Sequence, residues 1–134
     1  MGVTMNEFSF ADEGQVEEVS QFLKVLADPN RLRIFAALIQ GDSCNARLNE
    51  QLGLAPNLLS HHLRVLREAG LVQDRRDEID ARWIYYTVNR KALKKWYTWL
   101  KRFLDPEQLM ERPEVCGPER ELATRVPLKL QKGL

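Results

Sequence analysis

Residues 52–72 read LGLAPNLLSHHLRVLREAGLV, and this stretch decides the fold. Leu59, Leu63 and Leu66 recur at the spacing that lines one face of a helix. Pro56 suits the first turn of that helix, where a missing N–H breaks no hydrogen bond, and Gly70 supplies its C-terminal stop. Just upstream, SCNARLNEQLG (43–53) predicts a short helix, with Asp42 or Ser43 as its N-cap and Gly53 as its end. Leu54-Ala55-Pro56 leaves only a tight turn between the two, so the pair reads as a helix-turn-helix. After Gly70 the period changes. LVQDRR (71–76) and RWIYYTV (82–88) are short β-prone runs joined by the charged loop DEIDA (77–81), which predicts a two-stranded hairpin, or wing.

Working outward, Val16, Val19, Phe22, Leu23 and Leu26 form a helical stripe in GQVEEVSQFLKVLAD (14–28). Asp28-Pro29 breaks that helix and starts the next, with Asp28 as cap and Pro29 at the first position. In PNRLRIFAALIQ (29–40), Leu32, Ile34, Phe35, Leu38 and Ile39 are apolar over most turns, so a largely buried helix is expected, ended by Gly41. On the other side, NRKALKKWYTWLKRFL (89–104) predicts a helix capped by Asn89. Leu93, Trp96, Leu100 and Phe103 line one stripe, and Trp99 broadens it. Asp105-Pro106 ends it, and four prolines from Pro106 onward predict an irregular tail. The expected organisation is an N-terminal extension (1–14), one winged helix-turn-helix domain (15–105) and a C-terminal tail (106–134). The class is mainly α with a small β-hairpin.

The totals narrow the function classes. A chain of 134 residues, 44% hydrophobic and 29% charged, fits one soluble domain. No apolar run nears the roughly 20 residues that cross a bilayer, and the acidic start MGVTMNEFSFADEG lacks a secretory pattern. Asn6 stands where a myristoylation signal wants Ser or Thr. Two distant cysteines do not make a disulfide scaffold, so a cytoplasmic location and no membrane partner are expected. The net charge of +1 is uninformative, but its distribution is not. Residues 1–20 carry five acids and no base, whereas residues 55–104 carry eleven bases against five acids. A local basic surface attracts a phosphate backbone. No phosphate-binding glycine loop, His-Glu-x-x-His or nucleophile elbow is present, which argues against an enzyme.

LKVLADPNRLRIFAALIQGDSC, LGLAPNLLSHHLRVLREAGLV and RWIYYTVN together closely resemble the ArsR/SmtB family of metal- and metalloid-responsive repressors, over roughly residues 15–104. The resemblance implies a homodimer on double-stranded, pseudo-palindromic operator DNA, with no cofactor required. A reading helix places its N-terminal half in the major groove. That assigns Asn57, Ser60, His61 and Arg64 to DNA, with His62 turned toward the domain. Family members usually carry polar residues at the positions of Pro56 and Leu58, so Leu58 either meets a thymine methyl or joins the core. Arg75, Arg76 and Arg82 of the wing are expected at phosphates or the minor groove. The first helix and the aromatic helix 89–104 are the expected dimer surface.

The resemblance also implies an effector site. Residues 90–104 hold neither His nor acid, and residues 1–43 hold no Cys, which removes two known arrangements. The arsenic-type Cys-x-Cys pair is half present, as Cys44-Asn45-Ala46. Some arsenic-type members place a ligand cysteine in the tail, where this chain has Cys116. Thiolates select soft ions. The expected effector is therefore As(III), Sb(III) or methylarsenite on Cys44 and Cys116, within or across protomers. A reversible Cys44–Cys116 disulfide is the redox alternative, and a constitutive DNA-binding protein without effector is a third.

Overall fold

The computed structural model describes residues 13–110. The chain runs α1 (Glu13–Leu26), α2 (Pro29–Ile39), β1 (Ser43–Cys44), α3 (Asn45–Leu52), α4 (Pro56–Glu68), β2 (Val72–Arg76), β3 (Ile84–Val88) and α5 (Arg90–Phe103). A single 3-10 turn follows at Pro106–Gln108. This is a helix-turn-helix followed by a wing, clasped between an N-terminal and a C-terminal helix. No helix among the described residues is long and apolar enough to cross a membrane.

The boundaries follow from backbone needs. The Asp28 carboxylate accepts from the Asn30 and Arg31 amides at 2.8 and 3.1 Å, satisfying donors that the first turn of α2 leaves open. Asn89 does the same for α5 through the Lys91 and Ala92 amides. Helices α3 and α4 begin differently: Cys44 and Ala55 occupy their N-caps and neither makes a side-chain cap bond. Gly53 (φ 66°) ends α3 and Gly70 (φ 78°) follows α4, both in the left-handed region where glycine has no Cβ penalty.

One core serves all the elements. Ile34, Leu48, Leu59, Leu63, Leu66, Leu71 and Val72 are its fully buried side chains. Phe22 of α1 stacks on Trp96 of α5 with ring centroids 4.1 Å apart, closing the core between the two terminal helices.

Four expectations change. The wing has three strands, in the order β1-β3-β2 and all antiparallel, because Ser43 and Cys44 pair with Tyr86 and Tyr85. Neither proposed cap of α3 serves: Ser43 is in the strand, and the Asp42 carboxylate accepts from the Thr87 hydroxyl at 2.7 Å. Helix α2 buries Ile34, Phe35 and Leu38, leaving Leu32 and Ile39 about half exposed (each 51%), because among the described residues one side of this helix is covered by the other elements. Finally, Trp96, expected on the dimer surface, turns inward onto Phe22, whereas Phe103 of α5 and Val16 and Leu23 of α1 are exposed on the helices named for that surface.

Candidate nucleic-acid interface

Helix α4 is two-faced. Leu59, His62, Leu63 and Leu66 are buried. Asn57, Leu58, Ser60, His61 and Arg64 are exposed, so the α4 residues assigned to DNA share the outer side of the helix. Leu58 is 40% exposed, which answers the open question in favour of the surface. The Arg64 guanidinium donates to His61 Nδ1 at 3.3 Å, across one turn of the helix. Ala55 at the N-cap of α4 offers its first amides no side-chain cap bond.

The inner side is held by polar as well as apolar contacts. His62, 5% exposed, is the buried polar residue among the described ones. Its Nδ1 accepts from Arg31 Nη1 at 3.1 Å, and the same guanidinium donates through Nε to the Val25 carbonyl at 2.6 Å. Burial pushes the imidazole below its ordinary value; Asp28, with Oδ1 3.9 Å from Nε2, pulls the other way, and Arg31 and His61 add to the lowering. The Asp28 carboxyl is itself held low, chiefly by the Arg31 amide. In the last turn of α4, Arg67 reaches Asp74 of β2 at 2.9 Å and ties the helix to the wing. Asn49 of α3 donates to the Leu54 carbonyl at 2.8 Å and braces the turn before α4.

The wing is bonded to itself. Asp77 accepts from the Ile79 and Asp80 amides, both at 3.0 Å. Arg82 makes a two-point contact with Asp80, at 3.0 and 2.8 Å, which holds that carboxyl below its usual range. Arg76 donates to the Ala81 carbonyl at 2.8 Å, and the Arg75 guanidinium lies 4.8 Å from the centre of the Tyr85 ring. All three arginines are exposed. Asn45 joins this loop to α3, donating to the Arg82 carbonyl and accepting from the Ile84 amide at 3.1 and 3.3 Å.

The wing arginines therefore lie apart from the α4 group, on a separate element. Sequence reasoning missed Arg31, Asn45, Asn49 and the Arg67–Asp74 pair. Only Asn49 left a trace, as an amide side chain a few residues before a glycine stop. The others meet partners on different elements, which no local pattern announces.

Of the two thiol positions, Cys116 lies outside the described residues. Cys44 is half-buried at the junction of β1 and α3. It opens on a groove of about 660 Å³ lined by Ala46, Arg47, Glu50, Gln51 and Trp83. Among the described residues no group of three His, Cys, Asp or Glu stands close enough to hold a metal.

Residues 28–74 match the description of a bacterial regulatory protein of the arsR family, a span from the cap of α2 into β2. The biofilm growth-associated repressor of Xylella fastidiosa is 38% identical over 65 residues, which covers 48% of this chain but only 57% of that protein. The arsenic resistance transcriptional regulator ArsR1 of Pseudomonas putida is 33% identical over 92 residues, covering 68% of this chain and 70% of the relative. The crystal structure of NolR from Sinorhizobium fredii superposes with a TM-score of 0.56 at 31% identity, over 75% of this chain and 97% of NolR. With the helix-turn-helix, the wing and these similarities in agreement, the chain belongs to the arsR family of bacterial regulatory proteins.

Proposed function

We propose that this chain is a DNA-binding transcriptional repressor that grips operator DNA as a two-fold dimer and lets go when a soft, thiol-seeking effector binds. The observation that carries the DNA part is the division of α4. Leu59, His62, Leu63 and Leu66 are buried, while Asn57, Ser60, His61 and Arg64 stand together on the outside. A helix so presented fits a major groove, and Asn, Ser and Arg are side chains that read base edges. Arg75, Arg76 and Arg82 are the wing's contribution to the phosphate backbone.

One such unit offers few contacts, and a two-fold pair doubles them. The surface for pairing is the seam between α1 and α5. A shallow groove of about 390 Å³ there is lined by Val16, Val19, Leu23, Ala27, Trp99 and Phe103. Val16, Leu23, Phe103 and Leu104 are all exposed, an apolar patch that a second copy would cover.

The effector reading rests on Cys44, with Cys116 as the second ligand. Two thiolates suit methylarsenite, whose carbon fills the third position, or As(III) or Sb(III) completed by a small thiol or hydroxide. Cys44 opens on solvent and sits where α3 meets the wing, so a ligand there would pull on the element that braces α4. The arsenic-resistance regulator among the relatives favours this chemistry. The effector must bind the DNA-free arrangement more tightly, or it shifts nothing.

The test starts from duplexes selected from a random-sequence pool by the wild-type protein. Fluorescence anisotropy then follows release by As(III), Sb(III) and methylarsenite. Wild type is expected to dissociate, whereas Cys44→Ser and Cys116→Ser remain bound. Equal release in all three proteins would remove the thiol pair. Release by an oxidant alone, reversed by reductant, would assign the same pair to redox sensing.

A further inference from the structure

We propose that Arg31 and His62 form a pH-responsive brace that positions the reading helix, so that acidification loosens DNA without any thiol effector. This rests on the DNA-reading role given above and adds to it a second, independent control.

The geometry names the tautomer. A guanidinium only donates, so the 3.1 Å contact from Arg31 Nη1 makes His62 Nδ1 an acceptor and puts the ring proton on Nε2. Arg31 is itself anchored, since its Nε donates to the last turn of α1 at the Val25 carbonyl. One guanidinium thus links the end of α1, the first turn of α2 and the middle of α4. The ring sits among the leucines of α4, next in sequence to His61 on the outer side, and the two ring centroids are 5.2 Å apart.

A second proton on His62 must go to Nδ1. That converts the acceptor into a donor facing another donor and sets two cations in contact. The charged groups acting on the ring are Asp28 and Arg31 from the start of α2 and His61 on its own helix. The other elements packed on α4 carry their charges at exposed positions: Arg47 and Glu50 on α3, and Asp74, Arg75 and Arg76 on β2. Asp28 alone favours the imidazolium, and its Oδ1 already serves two backbone amides. Burial and Arg31 oppose the charge, so the neutral ring is the form this structure accommodates. The protonated ring can be relieved by moving α4 away from α2, which displaces Asn57, Ser60 and Arg64 together.

His61, next in sequence, lies on the exposed side beside Arg64 and makes no contact with Arg31, so the two histidines can be substituted separately.

Affinity for a selected duplex is measured at about pH 7.5 and about pH 5.5 at constant ionic strength, on either side of the ordinary histidine range. Wild type is expected to lose about ten-fold on acidification, the effect of roughly one unit of coupled shift. His62→Gln keeps a neutral acceptor for Arg31; it should bind normally at the higher pH and lose the acid sensitivity. His61→Gln, which leaves the Arg31–His62 contact in place, should retain the acid loss. Nitrogen NMR of the histidine rings in the free protein should show His62 as the Nε2–H tautomer, a reading independent of any variant's folding. A proton on Nδ1 at about pH 7.5, or an unchanged acid loss in a folded His62→Gln protein, would overturn the brace. A pool that enriches no duplex at either pH would overturn the DNA reading itself, and this inference with it.

Discussion

The outer side of α4 and the wing were both assigned to DNA from the same kind of evidence, polar and basic side chains on a predicted surface, yet they are built differently. On α4 the polar groups point outward, and the contact within the set is Arg64 on His61. In the wing each arginine is engaged: Arg82 with Asp80, Arg76 with Ala81 and Arg75 with the Tyr85 ring. A side chain with little internal commitment is ready to bond a base edge. One that already neutralises a carboxylate must share or exchange that partner. On the proposed reading the difference gives base contact to the helix, while the wing's arginines first bond within the wing and only then supply charge.

Removing the floor beneath both regions should have the largest effect. Leu63 is 2% exposed in the centre of the α4 stripe, and Leu63→Ala is expected to destabilise the fold by about 2–5 kcal/mol. Urea unfolding would show it, and DNA affinity should fall with the folded fraction. A loss under about 1 kcal/mol would mean that α4 is not seated on this core.

The comparison itself is sharpest at Arg64 against Arg82. Arg64→Ala is expected to cost roughly 10- to 100-fold in affinity for a selected duplex and to relax the preferred sequence at one position, with unfolding unchanged. Arg82→Ala should cost about three-fold, alike on all sequences, and shrink the salt slope by about one. If Arg82 proved the costlier loss and altered sequence preference, the roles of helix and wing would have to be exchanged.

The smallest effect tests the engaged state of the wing directly. Asp80→Asn removes the charge that Arg82 neutralises and keeps the side chain's size. Non-specific affinity measured at low salt should rise about two-fold, since one more cation faces the phosphates. A fall in affinity would show that Asp80 acts by holding the loop's shape rather than by competing for Arg82.

Much of this molecule is readable without coordinates, for a simple reason. Helix periodicity, proline and glycine act over a few residues, so α4 with its inward Leu59, Leu63 and Leu66, the Asp28 and Asn89 caps, the Gly53 and Gly70 stops and the outward Asn57, Ser60, His61 and Arg64 all follow from local spacing. What escapes is whatever depends on a partner distant in the chain. The strand at Ser43–Cys44 is too short to carry a period and exists because Tyr85 and Tyr86 lie beside it. Leu32 and Ile39 look as apolar as Ile34, but only packing settles which side of α2 is covered. Local spacing turns His62 toward the domain but does not name its partner; the fold brings Arg31, 31 residues away, to its Nδ1. Short-range order is encoded in neighbouring residues; burial and charge pairing belong to surfaces that come together only when the whole chain has folded.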